Sequence, residues 1–280
     1  MGYHDLPEAI RDNITTVELK TLDDVLKIFT EQPWQDDLKR NRSPYFYRGL
    51  PNADYTLQTT LNRNCGAKQE ALERVILRNF TKYCVDYDPQ MTGSIWRQMV
   101  IGQHHGLPTR LMDWSYSPLV GLHFAVSEAN PGELGSHDCS VWRIDIGDVK
   151  ACLPKKYNDI LDEEKGYIFT IDMLTGAAET LQEYDDDMKA ANALVVLEPL
   201  SIDQRIVSQY SFFTPIPMHI TVMEELIAAR LKHTVRYVIS KDLRWRLRDM
   251  LDQMNINERM IYPGIDGIAA WLKRYYFVKP

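Results

Sequence analysis

The amino-acid sequence predicts an α+β protein, built on a mixed, mainly antiparallel central sheet with flanking helices. Strand-like and helix-like runs alternate irregularly, without the regular rhythm of a parallel βαβ sheet. There is no G-x-G-x-x-G, no Walker loop and no internal repeat. The 280 residues are 45% apolar and 25% charged, with 14 Gly and 14 Pro, which is ordinary globular usage. A chain of this length buries a substantial core, so a single domain over residues 1–280 is expected, with a lead-in over 1–20 and a C-terminal helical segment over 240–280 packed on the core.

The elements follow in order. Leu22, Val25, Leu26 and Phe29 recur at helical spacing behind Thr21, a suitable N-cap. SPYFYRGL, residues 43–50, starts beside a Pro, carries three aromatics and ends at a Gly, as a short strand entering a turn does. This sets Arg48 at a strand end. Leu72, Val75, Ile76, Phe80 and Tyr83 mark a second helix, and residues 94–102 a third. After the break at Gly106, Leu107 and Pro108, Ser117 and Pro118 fit the N-cap and first turn of a helix running to about Ala129, with Val120 and Phe124 on one buried face. CSVWRID, YIFTID and ALVVLEP read as strands, and the near-continuous apolar run of the last predicts a central position in the sheet. QRIVSQYSFFTPIP reads as a bend feeding another strand. Thr221 and Glu224 form a capping box for the helix of EELIAARL, and TVRYVIS is a further strand. Leu243, Leu247, Met250 and Met254 give one amphipathic helix; Ile265, Ile268, Ala269 and Leu272 give the last.

Composition narrows the function classes. No apolar run approaches the roughly 18 residues of a membrane span, and MGYHDLPEAIRDN is too polar for a secretory signal, so a cytoplasmic location is expected. Cys65, Cys84, Cys139 and Cys152 lie far apart with no C-x-x-C, which predicts free thiols and no metal knuckle. A formal charge of −7 gives no basic footprint for nonspecific nucleic-acid binding. The arginines of RLKHTVRYVISKDLRWRLRD are interleaved with Asp and apolar residues, as on a solvated helical face.

The densest cluster of functional groups is QHHGLPTRLMDW, with Gln103, His104, His105, Arg110 and Asp113. Such a loop between buried elements supplies a general base or an anion clamp. Equally, Arg110 and Asp113 form a buried structural pair and His104 is a satisfied core histidine. Adjacent histidines point in different directions, so no metal site is expected. The G-x-S-x-G elbow of serine hydrolases is absent around Ser115 and Ser117.

FYRGL, followed some fifty residues on by QHHGLPTRLMDWSYSPLVGLHFA, resembles the FRG domain, with Tyr47 in place of the Phe. The resemblance continues through RIVSQYSFFT to MIYPGIDGIAAWLKR and covers the chain from about Asp23. FRG-domain proteins are bacterial and phage-associated. YRGL also looks like the first-strand motif of arginine-serine-glutamate ADP-ribosyltransferases, in which the arginine grips NAD. Their serine-threonine-serine strand and following helix overlay MDWSYSPLVGLHFA, with Ser115 retained and Asp113 where the first serine stands. Their glutamate, which begins a strand, has Gln209 as its positional counterpart and Glu198 as a charged alternative.

The resemblance therefore implies an NAD-consuming, ADP-ribosyltransferase-like effector, a toxin or phage-defence component. Its implied acceptor is a macromolecule, protein or nucleic acid, and an antitoxin or chaperone is a further implied partner. The implied catalytic residues are Arg48, Asp113, Gln209 and His104; Arg48, Gly49, Gln103, Arg110, Ser115 and Ser117 would hold NAD. A pyrophosphate is expected between Arg48 and the helix N-terminus at Ser117. Arg48 could instead be a structural bridge to a carboxylate such as Asp113. Two other readings stay open: a noncatalytic nucleotide or nucleic-acid binding module, and a metal-independent RNase using His104 or His105 as base.

Overall fold

The computed structural model describes residues 2–30, 32–84, 86–201 and 204–278. Along the chain come α1 (Glu8–Asp12), β1 (Thr15–Leu19) and α2 (Leu22–Thr30). Thr21 caps α2: its Oγ1 accepts from the Asp24 N–H at 3.2 Å while its own N–H donates to Asp24 Oδ2 at 3.0 Å. A small ribbon, β2 (Trp34–Gln35) and β3 (Arg40–Asn41), leads to β4 (Tyr45–Leu50). Then follow α3 (Thr60–Cys65), α4 (Gln69–Cys84), α5 (Ile95–His104), β5 (Leu111–Ser115), α6 (Pro118–Ala125) and β6 (Cys139–Asp145). A helical stretch holds α7 (Ile146–Cys152), α8 (Lys155–Glu163), α9 (Ile171–Ala177) and α10 (Leu181–Ala191). The last elements are α11 (Gln204–Gln209), β7 (Ser211–Pro215), α12 (Met223–Arg230), β8 (Val235–Ile239), α13 (Arg244–Gln253), α14 (Glu258–Ile261) and α15 (Ile265–Tyr275).

Six strands form one sheet in the order β1-β8-β6-β4-β5-β7. Only β1 and β8 run parallel; the other pairs are antiparallel, so the expected mixed, mainly antiparallel α+β fold is what forms. β4 pairs with β6 along its full length, from Tyr45↔Asp145 to Leu50↔Ser140. With β5 it pairs at Tyr47↔Ser115 alone, so the sheet splits beside Arg48.

Helix α6 closes against β4 at an unusually short distance. A Cβ on Gly49 would stand 2.0 Å from the Gly121 carbonyl oxygen, and one on Gly121 would stand 2.8 Å from Tyr47 Cβ. The glycines at 49 and 121 are thus required by close approach rather than by backbone conformation.

Several expectations need correction. Residues 1–20 are more than a lead-in, since β1 is an edge strand of the sheet. ALVVLEP is buried but not central: Leu197 makes only isolated bridges, to Phe169 and to Phe213 of the edge strand β7. Helices α9 and α10 cover that segment with Leu174, Leu181, Tyr184 and Met188. Of YIFTID, Phe169 makes a single bridge and Ile171 already begins α9. The helix after Ser117 ends at Ala125. Helix α12 has no side-chain cap from Val222, and Glu224 instead turns inward, where its Oε1 accepts from the Leu57 N–H at 2.7 Å. All four cysteines are free, Cys139 buried and the others half-buried. No helix among the described residues is long and apolar enough to cross a membrane.

Candidate functional site

The split between β4 and β5 opens into a cleft of about 310 Å³, at the lower end of the volumes typical of ligand sites. Arg48 and Gly49 reach it from β4, Gln103 from α5, Asp113 and Ser115 from β5, and Gln209 from α11. The two segments singled out in the sequence, some fifty residues apart, therefore meet at one cleft.

Arg48 spans the split. Its Nη1 donates to the main-chain carbonyl of Asp113 at 2.7 Å and lies 3.7 Å from Asp113 Oδ2. Burial pulls the guanidinium pKa below its usual value, the Asp113 charge offsets this, and nearby Arg63 adds to the lowering. Its Nε is buried and has no protein partner. Asp113, by contrast, keeps 52% of its side chain exposed. Its carboxylate accepts from Gln103 Nε2 at 3.1 and 2.9 Å, and Gln103 Oε1 in turn accepts from Thr109 Oγ1 at 2.7 Å. The Gln103 amide is thereby fixed in orientation, and it aims the carboxylate.

Ser115 and Gln209 are tied to each other. Ser115 Oγ donates to the Gln209 carbonyl at 2.6 Å and accepts from the Ser117 N–H at 3.1 Å. Gln209 Nε2 donates to the Ile261 carbonyl at 3.0 Å. This lashes the start of β7 to the C-terminal helices. Ser117 caps α6, with Val120 N–H on its Oγ at 3.4 Å, but does not line the cleft. At this helix N-terminus the N–H groups of Ser117 and Val120 have protein partners.

Arg110 is corrected. It is buried, its Nε donating to Glu73 Oε1 at 2.8 Å and its Nη1 to Asp185 Oδ1 at 2.6 Å, so it serves a structural ion triad rather than the cleft. The carboxylates facing Arg110 are these two and not Asp113. His104 is half-buried and edge-on to exposed His105, and neither lines the cleft. Glu198 is exposed, its N–H bonded to the Phe169 carbonyl, and it too lies off the cleft.

The sequence reading missed other residues of the cleft wall. Thr60 and Phe124 line it, and so does Arg205 of α11. The Arg205 guanidinium stands 5.0 Å from the ring centroid of Tyr262, just beyond α14. Burial raises the Tyr262 phenol pKa, and the charges of Arg205 and Asp113 both reach it. Phe124 was legible as one face of its helix; Arg205 and Tyr262 fall inside RIVSQYSFFT and MIYPGIDGIAAWLKR, but nothing in those segments singles the two residues out.

Comparison with protein families places the segment. The family model of the FRG domain matches residues 43–133, about a third of the chain, from the start of the β4 segment to just beyond α6. The chain carries an FRG domain. The matched stretch contributes Arg48, Gln103, Asp113, Ser115 and Phe124 to the cleft, whereas Arg205 and Gln209 lie outside the FRG match. No curated protein and no solved structure matched.

Proposed function

We propose that the cleft binds NAD and that the protein is an ADP-ribosyltransferase-like effector, a toxin or phage-defence component that modifies a macromolecule. One observation carries this reading. The three segments that resemble the arginine, serine and glutamate motifs of those enzymes lie on β4, on β5 and at the entry to β7, which are consecutive in the sheet and line one cleft. In this reading Arg48 grips a phosphate. The Asp113 carboxylate, aimed by Gln103, faces the ribose and favours positive charge developing at its anomeric carbon as nicotinamide leaves. Gln209 is neutral and pinned to Ile261, so Asp113 is the only carboxylate among the described residues lining the cleft.

That last fact also favours a second reading, in which the cleft holds a nucleotide without breaking it. Incubation with NAD separates the two: released nicotinamide supports the transferase, and NAD binding without release supports the binding module. RNA cleavage in the absence of NAD would favour the nuclease instead. Mass spectrometry of cellular protein and RNA after induced expression, searched for added ADP-ribose, identifies the acceptor.

A further inference from the structure

We propose that Arg205, held against Tyr262, is the second anion clamp of the cleft, so that the site selects ligands carrying two consecutive phosphates. This rests on the nucleotide-binding reading above but not on its chemistry. The cleft lining contains two guanidinium groups, Arg48 and Arg205, and one carboxylate, Asp113. The two arginines arrive from separate elements, β4 and α11. Arg63, on α3, is close enough for its charge to act on Arg48, so the field over the cleft is further biased toward anions. A single phosphate does not require two cations on separate elements, whereas a diphosphate presents an anionic group to each.

The N-terminus of α6 does not line the cleft, and two of its N–H groups are bonded, Ser117 N–H to Ser115 Oγ and Val120 N–H to Ser117 Oγ. The Tyr262 ring, 5.0 Å from the Arg205 guanidinium, restrains that side chain by a cation–π contact. The Gln209–Ile261 bond fastens the end of α11 to the residue before Tyr262, so the segments that carry clamp and ring are joined beside their contact. Arg205 is thus a ligand-contacting residue and Tyr262 a positioning residue.

Calorimetric titration of the full chain with ADP, AMP, pyrophosphate and phosphate tests this. We expect ADP to bind at least about tenfold more tightly than AMP, and pyrophosphate more tightly than phosphate, since a second charge-assisted contact is worth more than one factor of ten. Arg205 is exposed, so Arg205→Gln should fold normally; it should bring the ADP-to-AMP ratio to about twofold or less while leaving AMP affinity nearly unchanged. Tyr262→Phe should keep the parent ratio and Tyr262→Leu should lower it, a split that loss of packing alone would not produce. Equal affinity for ADP and AMP in the parent, absence of binding by both, or an unchanged ratio in Arg205→Gln would overturn the clamp. An ADP preference without nicotinamide release from NAD would leave the clamp standing and remove the transferase reading; release without any ADP preference would do the reverse.

Discussion

Arg48 holds Asp113 mainly by its backbone: Nη1 is 2.7 Å from the Asp113 carbonyl oxygen but 3.7 Å from Oδ2. The arginine therefore bridges the split in the sheet whether or not the carboxylate is charged. Asp113 in turn keeps its carboxylate half-exposed, held toward the cleft by Gln103 Nε2. The anchoring and chemical roles are divided between main chain and side chain of one residue.

Arg48→Lys should keep the fold and lose the ligand. Lysine retains the charge and can reach the Asp113 carbonyl, but it lacks the planar fork that takes a phosphate bidentately. We expect ADP affinity to fall more than about tenfold with a melting temperature near that of the parent. Unchanged ADP affinity in the variant would show that Arg48 does not hold phosphate.

Asp113→Asn separates chemistry from stability. Because the carboxylate is half-exposed and its ion pair long, the substitution should cost less than about 1 kcal/mol of stability. If Asp113 is the electrostatic group at the anomeric carbon, nicotinamide release should drop by about 10²–10³. Chemical denaturation and turnover, measured on the same preparation, check both halves. A strongly destabilised variant with normal activity per folded molecule would make Asp113 structural.

Arg110 carries the opposite expectation. Arg110→Ala leaves Glu73, itself 2% exposed, as an uncompensated buried charge, and should cost about 3–5 kcal/mol. Nicotinamide release per folded molecule, measured below the unfolding transition, should stay near the parent value. Loss of activity without loss of stability would return Arg110 to the site.

What the sequence made legible was local. Arg48, Gln103 and Asp113 were singled out because each lies in a short segment dense in functional groups, and the structure brings those two segments to one cleft; the bond between Gln103 and Asp113 was not read from the sequence. Arg110 sits in the same dense segment and was grouped with them. Its partners, Glu73 and Asp185, are 37 and 75 residues away, and no spacing rule connects them. Arg205 and Tyr262 escaped for the same reason, since their contact is made only by the fold. ALVVLEP was misplaced in the sheet because a continuous apolar run reports burial on all sides, which helices α9 and α10 supply as well as neighbouring strands would.

The buried Glu224 predicts a pH dependence of stability with a definite sign. Burial pushes its carboxyl from the ordinary 4.5 up to about 7, against the opposing pull of the Leu57 N–H at Oε1 and of Arg236. Between those two values the folded chain holds the proton more tightly than the unfolded chain does. Glu224 therefore stabilises the fold fully below the unfolded pKa, and this contribution disappears as pH rises through the folded one. The shift corresponds to about 3 kcal/mol over that window. Buried His123 acts in the opposite direction, because burial and the Arg248 and Arg274 charges hold its pKa well below 6.5 and the unfolded chain then binds the extra proton. The raw pH profile thus mixes two slopes. Comparing the parent with Glu224→Gln isolates one of them, since glutamine can keep the Oε1 bond to Leu57 and does not titrate. The difference in unfolding free energy, Glu224→Gln minus parent, measured by urea denaturation from pH 5 to pH 8, should grow with pH and favour the variant at the alkaline end. A flat difference would mean that Glu224 is ionised throughout and that Arg236 compensates its charge.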